Sequence, residues 1–65
     1  MQSSNVHSVG YDPASRILEI EFNDGSIYHY FDVPASEHSG LMSASSKGSY
    51  LYSNIKGRYR YQRIN

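Results

Sequence analysis

Hydrophobic and polar positions alternate along the first half of this chain, as they do in half-buried β-strands. The segment RILEIEF places Leu18, Ile20 and Phe22 on one face of a strand and its glutamates on the other. Two further strand-like segments, residues 5–11 (NVHSVGY) and residues 26–31 (SIYHYF), flank it across Asp-Pro and Asn-Asp-Gly turn sequences. The first half therefore predicts a three-stranded antiparallel β-meander.

The length of the second hairpin loop decides which side chains of the third strand are buried, because a slip of one residue turns every side chain over. A two-residue loop, Asp24-Gly25, would pair Phe22 with Ile27 and turn His29 towards the core. A three-residue loop closed by Gly25 in the left-handed conformation is the alternative. It forms the pairs Leu18–Tyr30, Glu19–His29 and Ile20–Tyr28. We favour the three-residue loop because it sets apolar side chains together and gives the imidazole a carboxylate neighbour.

Helical spacing replaces strand alternation after the third strand. Pro34 suits the first position of a helix, and the pattern predicts a helix over about residues 34–44. Gly40 lies inside this helix and weakens it by about 1 kcal/mol relative to alanine. The sequence therefore requires packing through Leu41 and Met42 to hold the helix.

A second short helix is predicted over about residues 49–56, where Leu51 and Ile55 share one face and Gly57 follows the end. The tail, residues 59–64, alternates again. It either lies along the sheet as an extra strand or docks on the core through its tyrosines and its isoleucine. The prediction is an α+β fold, with a three-stranded antiparallel β-meander followed by two short helices and an extended C-terminal tail.

The length of 65 residues predicts one domain, over residues 5–64, with residues 1–4 expected to be disordered. The absence of cysteine excludes disulfides and cysteine-based zinc sites, so a small apolar core must hold the fold. The predicted core consists of Val6, Val9, Leu18, Ile20, Phe22, Leu41, Leu51 and Ile55. No stretch approaches the roughly 20 apolar residues of a membrane span, and we expect a cytoplasmic location.

Charge is distributed unevenly along the chain, although the net charge is zero. All six acidic residues precede residue 38, with Arg16 as the one opposing charge, and this part carries a formal charge of −5. The remaining bases follow and give +5: Lys47, Lys56, Arg58, Arg60 and Arg63. This asymmetry is typical either of a polyanion-binding protein or of acidic and basic parts that face each other within the fold or across a dimer.

Patterns of known catalytic and metal sites are absent from the sequence. His7, His29 and His38 are not spaced as zinc ligands. The segment SSKGS lacks the glycine that precedes lysine in a phosphate-binding loop, and no GxSxG motif is present. We therefore expect no metal, no cofactor and no enzymatic activity.

Tyrosines accompany the basic residues of the C-terminal third. Positive charge neutralises phosphates and aromatic rings stack on unpaired bases, so Tyr50 and Tyr52 are candidate stacking residues. In the segment RYRY the two arginines point one way and the two tyrosines the other. We therefore expect Tyr59 and Tyr61 to pack inward, with the row of bases left for a ligand.

Three segments, YHYFDVP, SKGSY and IKGRYRY, together resemble the KTSC domain over about residues 6–64. The resemblance implies a small bacterial or phage module of unknown function, related in name to a C-terminal domain of lysyl-tRNA synthetase, for which RNA binding has been proposed by analogy. The motif positions, which we expect to be structural, are Tyr28, Tyr30, Pro34, Gly48, Gly57, Tyr59 and Tyr61. Arg60 departs from the family, which often carries proline there.

The resulting hypothesis is a stand-alone module that binds RNA or single-stranded nucleic acid through a basic C-terminal surface. Its expected binding residues are Lys47, Lys56, Arg58, Arg60 and Arg63, with Tyr50 and Tyr52. The alternative is a protein-interaction or homodimerisation module that uses acidic and basic faces and an open sheet edge. A small enzyme or small-ligand protein is a third alternative.

Overall fold

The computed structural model describes residues 5–65, and the expected disorder of residues 1–4 lies outside the described residues. Four strands occur in this part of the chain, together with two helices and a π-helical turn. Their bounds are β1 Val6–Asp12, β2 Ile17–Phe22, β3 Ile27–Tyr30, α1 Ala35–Ser43, α2 Lys47–Tyr50, the π-helical turn Leu51–Ile55, and β4 Tyr61–Arg63. The strands form one antiparallel sheet in the order β1-β2-β3-β4.

The hairpin between β2 and β3 has the register that the three-residue loop predicts. Its pairs are Leu18–Tyr30, Glu19–His29 and Ile20–Tyr28. Gly25 adopts a φ of 91°, and its amide donates a hydrogen bond of 2.9 Å to the carbonyl of Phe22. On the open face of the sheet, His29 Nε2 lies 3.7 Å from a carboxylate oxygen of Glu19. The favoured register is therefore confirmed.

The tail forms a fourth strand, so the sheet has one strand more than the predicted three-stranded meander, and of the two arrangements left open for the tail the extra strand is the one observed. β4 pairs antiparallel with β3, Tyr61 opposite Tyr30 and Arg63 opposite Tyr28. The amide of Phe31 donates to the carbonyl of Arg60 at 2.8 Å, which continues the ladder before β4. The backbone groups along the outer edge of β3 require partners, and the alternating tail supplies them.

The core lies between one face of the sheet and the helical segments. Its buried members are Leu18, Ile20, Tyr30, Val33, Leu41, Leu51 and Ile55. Val6, Val9 and Phe22 pack against this cluster and are partly buried, so the predicted core residues all contribute. Val33 was not among the predicted core residues and is fully buried. Met42 is 46% exposed, so the expected packing of α1 through Met42 is wrong. Leu41 is the one buried residue of this helix.

The helix ends differ slightly from the predictions. α1 begins at Ala35, because Pro34 has extended backbone angles and serves as the N-cap rather than as the first helical residue. The carbonyl of Pro34 accepts from the amides of Glu37 and His38 at 3.0 and 3.3 Å. α2 begins at Lys47 rather than at about residue 49, because the Ser46 side chain caps it. Within residues 5–65, no helix has the length and apolar character needed to cross a membrane.

Candidate nucleic-acid interface

A groove opens on the helix-bearing face of the sheet where β2, β3 and β4 lie side by side, and we call it the aromatic groove. Its volume is about 690 Å³, within the range of roughly 300–1,000 Å³ that is common for ligand sites. Four rings line it: Phe22, Tyr28, Tyr30 and Tyr61. The centroid of Tyr61 lies 5.8 Å from that of Tyr28 and 5.8 Å from that of Tyr30. Phe22 meets Tyr28 edge to face at 5.6 Å, so the rings form one continuous aromatic surface.

Exposure differs sharply between the rings at the bottom and at the rim of the groove. Tyr30 is 2% exposed, and burial raises the pKa of its hydroxyl. Tyr61 is 59% exposed, so the expectation that it packs inward is wrong. The buried residues of the sheet lie on β2 and β3 (Leu18, Ile20 and Tyr30), whereas all three residues of β4 are exposed. Tyr61 therefore presents ring surface to solvent at the rim of the groove.

One wall of the aromatic groove is polar and comes from the hairpin turn and the start of β1. Its members are Asn5, Asn23, Asp24 and Ser26. Oδ1 of Asp24 accepts from both the amide (2.9 Å) and the hydroxyl (2.7 Å) of Ser26. The hydrogen bond from the Ser26 hydroxyl is the main cause that lowers the pKa of Asp24, and the charge of Arg63 lowers it further. Asp24 is therefore ionised at neutral pH.

The opposite wall of the aromatic groove is formed by Lys56 and Gly57, which follow the π-helical turn. The amide of Lys56 donates to the carbonyl of Leu51 at 2.8 Å, five residues back, and this bond closes the turn. Gly57 then takes a φ of 85°, which redirects the chain towards β4. This turn places the exposed Lys56 beside the aromatic rings.

The five predicted basic residues do not form one surface. Arg63 faces Tyr28 across the β3–β4 ladder and therefore lies on the same side of the sheet as the aromatic groove. Phe31 and Arg60 each stand one position from a groove-lining tyrosine, so strand alternation turns both towards the other side. There the guanidinium of Arg60 lies 5.2 Å from the centroid of the Phe31 ring.

The remaining two bases lie away from the groove. Lys47 is half-buried at the start of α2. Arg58 is exposed, and its charge acts on Tyr50 and Tyr59. Among the residues that the structure describes, none of the five bases makes an ion pair with a carboxylate. Of the five bases, Lys56 lines the aromatic groove, and Arg63 lies on the same face of the sheet without lining it.

The two predicted stacking residues also lie outside the groove. Tyr52 is 72% exposed, and the ammonium of Lys56 lies 5.5 Å from its ring centroid. Tyr50 is half-buried, and its hydroxyl donates to Oε1 of Glu37. The ring of Tyr50 therefore connects α2 to α1, whereas Tyr52 remains free to contact solvent.

Glu37 joins three segments of the chain through its two carboxylate oxygens. Oε1 accepts from Tyr50, and Oε2 accepts from the hydroxyl of Tyr59 at 2.9 Å. The hydrogen bond to Glu37 is the main cause that raises the pKa of Tyr50. For Tyr59 burial is the main cause and the bond to Glu37 adds to it. Tyr59 thus packs inward, in the manner expected of it.

Sequence reasoning missed the groove because its members were assigned to other roles. The alternation pattern predicts core or structural roles for Phe22, Tyr28 and Tyr30, and it divides the polar wall between two strands and the turn that joins β2 to β3. The Tyr-x-Tyr pattern of β3 was the available signal, since it places two rings on one face. Across residues 5–65, no three His, Cys, Asp or Glu side chains cluster as metal ligands.

Comparisons with known proteins agree on one family. The family model of the KTSC domain matches residues 2–59. An uncharacterised protein of Stutzerimonas stutzeri is 43% identical over 98% of this chain and 92% of its own length. The crystal structure of a KTSC domain protein from Yersinia pestis has a TM-score of 0.88 and 42% identity, and the match covers 100% of this chain and 92% of that one. A lysine–tRNA ligase of a Nostoc species is 38% identical over 97% of this chain, which spans only 11% of the ligase.

Proposed function

Because the chain belongs to the KTSC domain family, we propose that it acts as a small binding module for single-stranded RNA, with the aromatic groove as the binding site. The observation that carries this proposal is the exposed ring of Tyr61, set beside Tyr28 between a polar wall and a lysine. Such a surface accepts unpaired bases, since every base has a face that stacks on an aromatic ring. The groove, rather than the whole basic tail, is then the interface.

Charge adds a second contribution at the edges of the groove. Lys56 lines it and Arg63 lies on the same sheet face, so both can contact phosphates of a strand whose bases occupy the groove. Each phosphate neutralised on a single strand changes the slope of log affinity against log salt by about −0.7. Two contacts therefore predict a slope of about −1.4 rather than the steeper slope that five contacts would give.

The ligase relatives support the choice of nucleic acid over a peptide as the ligand. A segment similar to nearly all of this chain occurs in proteins named lysine–tRNA ligase. A module carried by such a protein encounters RNA. The ligase reaction itself is not inferred for this chain, which corresponds to a small part of those proteins.

The test is fluorescence anisotropy with a labelled single-stranded RNA of about ten nucleotides, within the usual site size of such proteins. Loss of one stacking ring costs about 1–3 kcal/mol, so Tyr61→Ala should weaken binding roughly 5- to 150-fold. Tyr52→Ala is the matched control, because Tyr52 is at least as exposed but lies outside the groove. Because Tyr52 adjoins the groove only through the ammonium of Lys56, its loss should weaken binding much less than that of Tyr61.

A second pair of variants separates a localised site from diffuse attraction. Arg63→Ala and Arg60→Ala remove the same charge from opposite sides of the sheet. Arg63→Ala should weaken binding and make the salt slope less steep by about 0.7, whereas Arg60→Ala should do neither. Absence of binding at low salt, or equal effects of both arginine variants, would refute the proposed groove. Concentration-dependent sedimentation of the protein alone would favour the homodimer instead.

A further inference from the structure

We infer that Asp24 makes the aromatic groove select bases that carry an exocyclic amino group over uracil, an inference that rests on the proposed function. Asp24 belongs to the polar wall of the same groove whose rings would stack the base. The family resemblance assigns no role to this residue. Its side chain is the one carboxylate among the residues that line the groove.

The hairpin turn fixes the orientation of this carboxylate. Oδ1 of Asp24 accepts two hydrogen bonds from Ser26, and the backbone amide of Asp24 itself makes a weaker contact to the same carboxylate. Among residues 5–65, no side-chain hydrogen bond from another residue ends on Oδ2. The turn itself is held by the amide of Gly25, which donates to the carbonyl of Phe22, and by the side-chain amide of Asn65, which donates to the carbonyl of Gly25 at 3.1 Å. One carboxylate oxygen is therefore saturated within the turn, and the other remains as a fixed acceptor.

A fixed anionic acceptor distinguishes bases by their donors. Cytosine presents an N4 amino group, which carboxylates accept from in protein–DNA complexes. Uracil presents a carbonyl oxygen at the same position, which repels the carboxylate. Because the N3–H of uracil is a donor on the same edge, we place Oδ2 at the 4-position of the base rather than at N3. Since bases of single strands are read on their Watson–Crick edges, a base stacked on Tyr61 with this edge towards the polar wall would meet Asp24. Adenine and guanine also carry an amino group on that edge.

The remaining polar wall is compatible with either kind of base. Asn5 and Asn23 carry side-chain amides that both donate and accept, and among residues 5–65 neither makes a side-chain hydrogen bond to the protein. These amides can therefore bond to the carbonyl of cytosine or of uracil without discrimination. Asp24 is the one residue of the polar wall whose side chain accepts hydrogen bonds but cannot donate them. We therefore assign the discrimination between cytosine and uracil to it.

The experiment compares oligo(C) with oligo(U) RNA of equal length by anisotropy, because these pyrimidines have the same size and differ only in the group at the 4-position and the proton on N3. An exposed charged acceptor predicts roughly 5-fold tighter binding of oligo(C) by the wild-type protein. In Asp24→Asn, Oδ1 still accepts from Ser26, but an amide that donates replaces Oδ2. The preference should then disappear or reverse towards oligo(U).

Asp32→Asn is the matched control for the loss of one negative charge. Asp32 is exposed, does not line the groove and has a φ of 60°, which asparagine tolerates. It should raise both affinities equally or not at all, with the oligo(C) preference kept. Equal wild-type binding of both oligonucleotides, or an unchanged preference in Asp24→Asn, overturns the inference while leaving the groove as an RNA site. Absence of binding to either oligonucleotide overturns the proposed function and the inference together.

Discussion

Gly40 lies in the middle of α1, where glycine weakens a helix, and the Tyr50 hydroxyl occupies the space in which another residue would carry its Cβ. A Cβ built at this position would overlap the Tyr50 oxygen and approach Cζ to 3.0 Å. The Tyr50 hydroxyl also donates to Glu37, one turn earlier in α1. The ring therefore cannot retreat from position 40 without loss of this hydrogen bond.

Two opposing effects set the stability of a Gly40→Ala variant. Alanine improves the helix by about 1 kcal/mol. Overpacking against a held side chain costs about 1–3 kcal/mol. We expect the steric effect to exceed the helical one, with a net loss of about 1 kcal/mol, because displacement of the ring also breaks the bond to Glu37. For a domain of this size such a loss lowers Tm by about 4–8 °C.

Thermal and urea unfolding followed by circular dichroism measure this effect. Ser39→Ala is the control, since Ser39 is exposed on the same helix and its replacement should raise Tm slightly. In a Tyr50→Phe background the clashing oxygen is absent and the ring is no longer held by Glu37, so it can move away from the Cβ at the cost of a small shift of Cζ, and Gly40→Ala should become neutral or stabilising. A rise of Tm in the single Gly40→Ala variant, similar to that of Ser39→Ala, would refute the steric explanation for this glycine.

Alkaline pH and the hairpin turn provide two further tests of the fold. The pKa values of Tyr50 and Tyr59 are raised in the folded protein, so their contribution to stability is complete below about pH 10 and is lost as the pH rises through the raised values. Phenolate absorbance should show a group of tyrosines that ionise at higher pH than the others, and this group should have one member fewer in Tyr50→Phe. Simultaneous ionisation of all tyrosines would contradict this. Gly25→Ala should lower the free energy of unfolding by about 1 kcal/mol, because its φ is 91° and the surrounding space is open. Gly25→Asn should lower the free energy of unfolding by less in the same urea titration. Equal stability of the wild type and both variants would contradict the requirement for glycine at this φ.

The parts of the fold that sequence predicts best are those where local chemistry leaves one solution. The register of the β2–β3 hairpin followed from the demand that Leu18 and Ile20 face aromatic partners, and the structure has this register. A slip would have placed a histidine in the core at a cost that no neighbouring group offsets. Turn chemistry and side-chain alternation agreed, and their agreement made the prediction specific.

The fate of the tail could not be predicted in the same way, because it depends on partners distant in sequence. Residues 59–64 alternate, and this pattern suits both an edge strand and a docked segment. The unpaired outer edge of β3 decides between these two arrangements. The tail can reach this edge only because the helices return the chain to that side of the sheet. Tyr61 shows the consequence, since it is exposed on an edge strand whose three residues are all exposed, a position that its sequence neighbours do not reveal.

The same reasoning explains why the basic residues that cluster in the C-terminal third of the sequence do not lie together on one surface of the fold. The chain from residue 47 to residue 63 crosses from α2 to the far edge of the sheet, so consecutive bases of this part face different directions. Arg60 and Arg63 lie on opposite sides of the sheet although only two residues separate them. A ligand that contacts the groove can therefore meet two of the five bases, while the others remain over Phe31, beside the Glu37 cluster and at the start of α2. Under the proposed function, the aromatic rings rather than the net positive charge of the tail are therefore expected to determine where an RNA strand binds.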